Sequence, residues 1–166
     1  VGADDIGTIG VGEATIPPIV TLNKVLGLDE ADFMRRTQAS IKLGIQFENW
    51  GTVGNVYMHA FGTIGKDFAF CPFQHFWVRA FKEGLSKDLW DYSLNLQAAR
   101  QGKFAFVKQH QDMPALTYAY HFDAGLYAKY LRGLSEGMGV TRVEGMISGV
   151  RLDPESGFVT ALQLKD

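Results

Sequence analysis

Between residues 40 and 50 the side chains alternate in character. Ile41, Leu43, Ile45 and Phe47 are apolar, and Lys42, Gly44, Gln46 and Glu48 fall between them. Successive side chains of an extended chain point to opposite faces, so the pattern predicts one strand with an apolar and a polar side. Such a strand needs partners and a covering layer, which restricts the chain to folds that combine sheet with helix or with further sheet. Gly51 and Gly54 bound a predicted turn, and residues 57–62, Tyr-Met-His-Ala-Phe-Gly, read as an extended piece entering a loop.

Helical signals surround this strand. Residues 1–18 are glycine-rich and read as a loop, after which Pro17 and Pro18 open a helix striped by Leu22, Val25 and Leu26 and stopped by Gly27. Asp29 is the expected N-cap of a second helix running to about Thr37. Residues 72–83 predict a helix with Phe73, Phe76, Trp77 and Ala80 on its apolar side. Ser86 is placed to cap a further long helix containing Leu89, Trp90, Leu94 and Leu96. Residues 101–114 read as loop. Asp123 caps an expected helix carrying Leu126, Tyr127, Tyr130, Leu131 and Leu134, ended by Gly137 and Gly139. Strand signals follow at residues 140–143, 147–152 and 158–164, the last two joined as a hairpin by Asp153-Pro154-Glu155-Ser156-Gly157. The class is α/β, mixed with α+β character.

Bulk properties narrow the function. A 166-residue chain with 46% hydrophobic and 20% charged residues suffices for a real core. A net charge of −2 gives no reason to expect nucleic acid or an anionic membrane as partner. One cysteine, Cys71, excludes an internal disulfide and a cysteine-built metal site, and a reducing cytoplasmic setting is expected. The histidines lack cysteine or carboxylate neighbours at ligand spacing, so no metal site is expected. His110 is expected in an exposed loop, and His75 and Trp77 are read as structural. There is no nucleophile elbow, and no apolar run is long enough to span a bilayer.

Three places could carry chemistry. Gly10-Val11-Gly12-Glu13-Ala14-Thr15-Ile16-Pro17 allows backbone to approach a ligand closely, although by spacing alone it reads as a glycine-rich turn ahead of a helix. Lys42 stands on the polar side of its strand next but one to the small residues Ser40 and Gly44. By pattern alone it is a solvated lysine; in a channel its amine could hydrogen-bond or attack an electrophile. His59 and Phe61, two residues apart, would face one side of an extended segment and could flank a flat ring, or pack as core.

These blocks together resemble the flavin-dependent tryptophan halogenases. The resemblance runs from residues 10–17 through Ser40-Ile41-Lys42-Leu43-Gly44-Ile45 with Phe47 and Trp50. It continues in His59-Ala60-Phe61-Gly62, His75-Phe76-Trp77 and His121-Phe122-Asp123-Ala124, in order and over nearly the full chain. It implies part of an FAD-dependent monooxygenase-like nucleotide-binding fold with halogenase insertions. It further implies that FAD, reduced to FADH2 by a separate flavin reductase, turns O2 and halide into hypohalous acid. The matching lysine, Lys42, would deliver the halogen to an indole-type aromatic bound by His59 and Phe61. Glu13, Ala14, Ala3, Ile6 and Ile147 match FAD contacts, and Thr15, Ile16 and Pro17 match a strap between flavin and substrate sites. Gly2 stands where the family usually has an acidic residue for the ribose hydroxyls. Asp123 is read as a helix cap that maintains the fold.

Residues 1–166 are therefore expected to be one incomplete FAD-binding halogenase domain. The phosphate-binding Gly-x-Gly-x-x-Gly turn would precede it, and the substrate module with the catalytic glutamate would follow. Alone it is expected to be inactive and to bind FAD weakly or not at all; the intact enzyme could form a homodimer. Two other readings stay open, a flavin-dependent aromatic hydroxylase of the same fold and a non-enzymatic domain that binds aromatic ligands. Lys42 separates the first from halogenation, because a hydroxylase has no need of an amine to hold hypohalous acid.

Overall fold

The computed structural model describes residues 2–3, 14–86, 88–106 and 114–165. Ile6, Gly10, Gly12, Glu13 and His110 lie outside the described residues.

Capping chemistry sets most of the helices. Helix α1 spans Pro18–Val25, with proline in its first turn, where a missing N–H costs nothing. Helix α2 spans Glu30–Thr37; the Asp29 carboxylate accepts from the Asp32 N–H at 2.8 Å, and Gln38 ends the helix in the left-handed region at φ 54°. Helix α3 covers Phe73–Lys82, within the expected stretch. Helix α5 covers Ala124–Gly137 and begins as expected at Asp123, whose carboxylate accepts from the Leu126 N–H at 2.8 Å.

The long helix expected after Ser86 is two shorter pieces. A 3-10 turn at Leu89–Tyr92 starts from Asp88, which accepts from the Trp90 N–H at 3.0 Å, and α4 at Leu94–Arg100 starts from Ser93, which accepts from the Leu96 N–H at 3.3 Å. Two caps inside the run break it, while the Ser86 hydroxyl is bonded to the Tyr92 hydroxyl at 3.1 Å instead.

The alternating stretch at residues 40–50 is also two elements. Strand β1 is Ser40–Lys42 and β2 is Gly44–Glu48. The chain changes partner at Leu43. Strand β1 pairs antiparallel with β4, Ala119–His121, in the register Ser40↔His121, Ile41↔Tyr120, Lys42↔Ala119. Strand β2 pairs antiparallel with β3, Val56–Ala60, from Gly44↔Ala60 to Glu48↔Val56. A hairpin of β5, Ile147–Leu152, and β6, Val159–Leu164, completes the described sheet structure. Its loop is held by the Asp153 carboxylate, which accepts from the Ser156 N–H at 2.7 Å and the Glu155 N–H at 3.1 Å. Residues 140–143, expected as a strand, form none; the pairing there is one parallel bridge, Gly2↔Glu144.

The core is aromatic. Phe33, with no exposed surface, meets Tyr120, Phe122 and Tyr127 edge-on at centroid distances of 4.9, 5.5 and 5.5 Å. Helix α1 turns Ile19 and Val20 toward this cluster, not the expected stripe; Val25 is 79% exposed and Leu22 and Leu26 are exposed too. Helix α1 is apolar around most of its circumference, so its pattern does not mark the inner side. Asn23 faces inward with Ile19 and Val20, and its side-chain oxygen accepts from the Tyr127 hydroxyl at 3.0 Å. The aromatic side of α3 is not buried either: Phe76 and Phe81 are exposed. No helix among the described residues is long and apolar enough to cross a membrane.

Phe33→Ala in the full-length protein should lower unfolding free energy by about 3–5 kcal/mol, since it empties the centre of the ring cluster. Chemical denaturation monitored by circular dichroism measures this.

Candidate active site

The strap and the lysine strand meet on β4. Thr15 donates its N–H to the Tyr120 carbonyl at 3.0 Å, and its hydroxyl donates to the same carbonyl at 2.9 Å and accepts from the Tyr120 N–H at 3.1 Å. Ala14 forms an antiparallel bridge with His121, and His121 is the register partner of Ser40 on the far side. Ala14, His121 and Ser40 therefore lie in a row across three pieces of backbone. Lys42 lies two residues along β1 from Ser40 and so shares its sheet face.

Lys42 does not behave as the polar-side lysine that the alternation suggests. It is 7% exposed. Its Nζ stands over the Phe61 ring, 5.7 Å from the centroid, close enough for attraction between a cation and the ring face. Among the described residues it has no carboxylate partner. Burial pushes the ammonium below the ordinary lysine range, because desolvation penalises the charged form. His121 is also held below the ordinary imidazole range, by desolvation first and by the positive charge of Lys42 second.

Phe61 comes to Lys42 because of the partner switch at Leu43. The Leu43 carbonyl accepts from the Phe61 N–H at 2.8 Å, so the end of β3 is tied to the residue after the lysine. Gly44 allows the close approach: a Cβ there would lie 2.6 Å from the His59 carbonyl oxygen and 2.8 Å from the Ala60 Cα. His59 itself is exposed on β3 opposite Ile45, whereas Phe61 is buried just beyond the strand end. Their two-residue spacing does not give them a common environment, because the ladder stops at Ala60 and the chain turns at Gly62, φ 84°.

Of the expected flavin contacts, Ala14 and Ile147 are exposed and Ala3 is half-buried. The Gly2↔Glu144 bridge, with the Gly145 N–H donating to the Gly2 carbonyl at 3.0 Å, brings Ala3 to the end of the hairpin where Ile147 begins β5. Of the strap, Thr15 and Pro17 are half-buried and Ile16 is exposed. Among the described residues no group of three histidines, cysteines or carboxylates is placed to hold a metal ion.

Two residues in this neighbourhood were not picked out as functional by sequence reasoning. His121 belongs to the block His121-Phe122-Asp123-Ala124, which reads as fold maintenance, and the sequence pattern singles out nothing at Asn95. A polar amide between Leu94 and Leu96 is the available signal for the second, and the family block that contains it is the signal for His121.

The fold that presents this lysine is shared with flavin-dependent halogenases. A halogenase of that kind from Xanthomonas campestris, Xcc4156, superimposes with a TM-score of 0.88 at 50% identity, over 98% of this chain and 32% of its own. BrvH, a flavin-dependent halogenase from Brevundimonas sp. BAL3, does so with a TM-score of 0.82 at 41% identity, over 93% of this chain and 32% of its own. The tryptophan halogenase family model matches residues 1–166, and the chain belongs to that family. The 7-chloro-L-tryptophan 6-halogenase KtzR of Kutzneria sp. (strain 744) is 36% identical over 89% of this chain and 32% of its own length. The chain thus spans about a third of the length of the curated relatives it matches.

The Lys42 amine should lose its proton at a lower pH than the exposed lysines, as read by competitive acetylation and mass spectrometry across pH. Imidazole C2 hydrogen exchange should place the His121 midpoint below that of an ordinary histidine. Lys42→Met, which removes the nearby charge, should move the His121 midpoint part of the way back up.

Proposed function

We propose that the protein containing this chain halogenates an indole-type aromatic, with Lys42 as the catalytic amine. The observation that carries this reading is the buried Lys42 Nζ over the Phe61 ring, without a carboxylate partner among the described residues. An uncompensated ammonium in such a place is costly, so a lysine there calls for a use beyond packing. Halogenase relatives over the whole chain supply the chemical context.

Bound FADH2 with O2 and halide would supply hypohalous acid; the reduced flavin would come from a separate flavin reductase. Ala14, Ala3 and Ile147, with Glu13 and Ile6, would hold the flavin, and Thr15, Ile16 and Pro17 would set its distance from the lysine. The Lys42 ammonium donates a hydrogen bond to the oxygen of hypohalous acid. As an arene carbon bonds to the halogen, the oxygen–halogen bond breaks. The oxygen leaves as water with a proton from the ammonium, and the neutral amine is reprotonated as the ring loses its own proton. Arene and hypohalous acid thus become halogenated arene and water. Phe61, with His59 at the exposed side, would hold the ring. The lowered proton affinity of Lys42 suits the donating half of that cycle, since it makes the ammonium a readier donor.

Lys42→Ala in the full-length protein should reduce halogenated product by about 10²–10⁴-fold while flavin reoxidation continues. Product analysis by mass spectrometry, run beside an oxygen-uptake trace, measures both. Undiminished product would remove Lys42 from the catalytic role, and a hydroxylated product in place of a halogenated one from the wild type would overturn the halogenase reading in favour of the flavin hydroxylase.

A further inference from the structure

Leu43 belongs to neither β1 nor β2, and its carbonyl, directly after Lys42, is held from two sides. It accepts two hydrogen bonds, one from the Phe61 N–H at 2.8 Å and one from the Asn95 side-chain Nδ2 at 3.3 Å. Asn95 lies in the first turn of α4 and is 4% exposed. Its Nδ2 donates also to the Thr117 carbonyl, and its Oδ1 accepts from the Thr117 N–H at 3.3 Å. Thr117 lies two residues before β4, the partner of the lysine strand. On the other side, a Cβ placed on Gly62, next to Phe61, would come within 3.2 Å of the Asn95 Oδ1.

One amide therefore bonds to the carbonyl after Lys42 and to the entry of β4, and its oxygen lies where a side chain on the residue after Phe61 would crowd it. We propose that Asn95 is a positioning residue that sets the Lys42 amine against the Phe61 ring. It acts through the Leu43 carbonyl and touches neither substrate nor flavin. This proposal rests on the halogenase reading of Lys42 for its catalytic consequence, though its geometric content does not depend on that reading.

The amide group is chemically specific to the task. Two donors and one acceptor on one planar group meet two carbonyls and one N–H. Aspartate has the same shape but would face the Leu43 and Thr117 carbonyl oxygens with further acceptors. Serine retains a single donor and is too short to span all three. The tie matters because Lys42 and Phe61 belong to different ladders: β1 with β4 places one, and β2 with β3 places the other. Loosening the Leu43 carbonyl leaves both ladders intact and lets the amine drift relative to the ring.

The experiment compares full-length wild type, Asn95→Asp, Asn95→Ser and Lys42→Ala, with FADH2, bromide and free tryptophan or indole as probes. Three quantities are read: brominated product per flavin oxidised, kcat and KM for the arene, and the pH midpoint of Lys42 acetylation. Asn95→Asp and Asn95→Ser should lower product per flavin oxidised by about tenfold or more. They should lower kcat more than they raise KM, and leave flavin oxidation unchanged. The Lys42 midpoint should rise toward that of an ordinary lysine as water reaches the loosened segment. Folded variants with wild-type product yield and an unmoved Lys42 midpoint would overturn the proposal. So would unfolding of both variants, because the amide would then hold up the fold instead of placing the amine. If wild type forms no brominated product, the halogenase reading fails, and if Lys42→Ala keeps full bromination, the catalytic role of Lys42 fails; in either case the Lys42 midpoint in the Asn95 variants still decides whether the amide places the amine.

Discussion

Four pieces of chain are fixed to one another through Tyr120. Its carbonyl and N–H are bonded to Thr15 of the strap, and its register partner in β1 is Ile41. Its ring meets Phe33 of α2 at 4.9 Å, and its hydroxyl donates to the Glu30 carboxylate at 2.6 Å. Tyr118 donates to the same carboxylate at 2.7 Å. Both phenols are held protonated by burial and by the negative charge they face, that of Tyr118 being pushed up to about 12 and that of Tyr120 raised further. Both therefore stay protonated donors well above neutral pH. Lys42 is one residue beyond Ile41 on this frame, which is why its strand start is rigidly placed.

The helices were largely legible because their start signals are local. Asp29 and Asp123 accept from N–H groups three residues on, and no distant contact is needed to predict that. The Asp153 loop of the hairpin is legible for the same reason. What escaped was set by partners far away in the chain. The alternation at residues 40–50 is genuine, yet nothing within it states that the chain leaves one partner and takes another at Leu43. Strand β4 is three residues long and too short to show a period. Residues 140–143 have strand character but bond through a single bridge at Glu144.

The site was legible in a different way. Lys42, Phe61 and the strap stood out through family blocks, and the structure has Lys42 beside Phe61 and the strap on the opposite edge of β4 from the lysine strand. Their environments were not readable. Strict alternation put Lys42 on a polar side, whereas β4 and Phe61 enclose it. Local pattern and tertiary environment disagree at this residue, and such disagreement is expected where a protein gives up stability for chemistry. His59 differs in the opposite sense: spaced to share a side with Phe61, it is exposed on β3 while Phe61 is buried.

The partner switch at Leu43 has a geometric consequence. Because the amine and the ring ride on separate two-stranded ribbons, the gap between them is not locked to the 3.3 Å steps of a single strand. A small shear of one ribbon against the other changes that gap continuously, with each ribbon's internal pairing untouched. Such a framework can change the spacing of amine and ring while the aromatic interior around Phe33 keeps its own contacts.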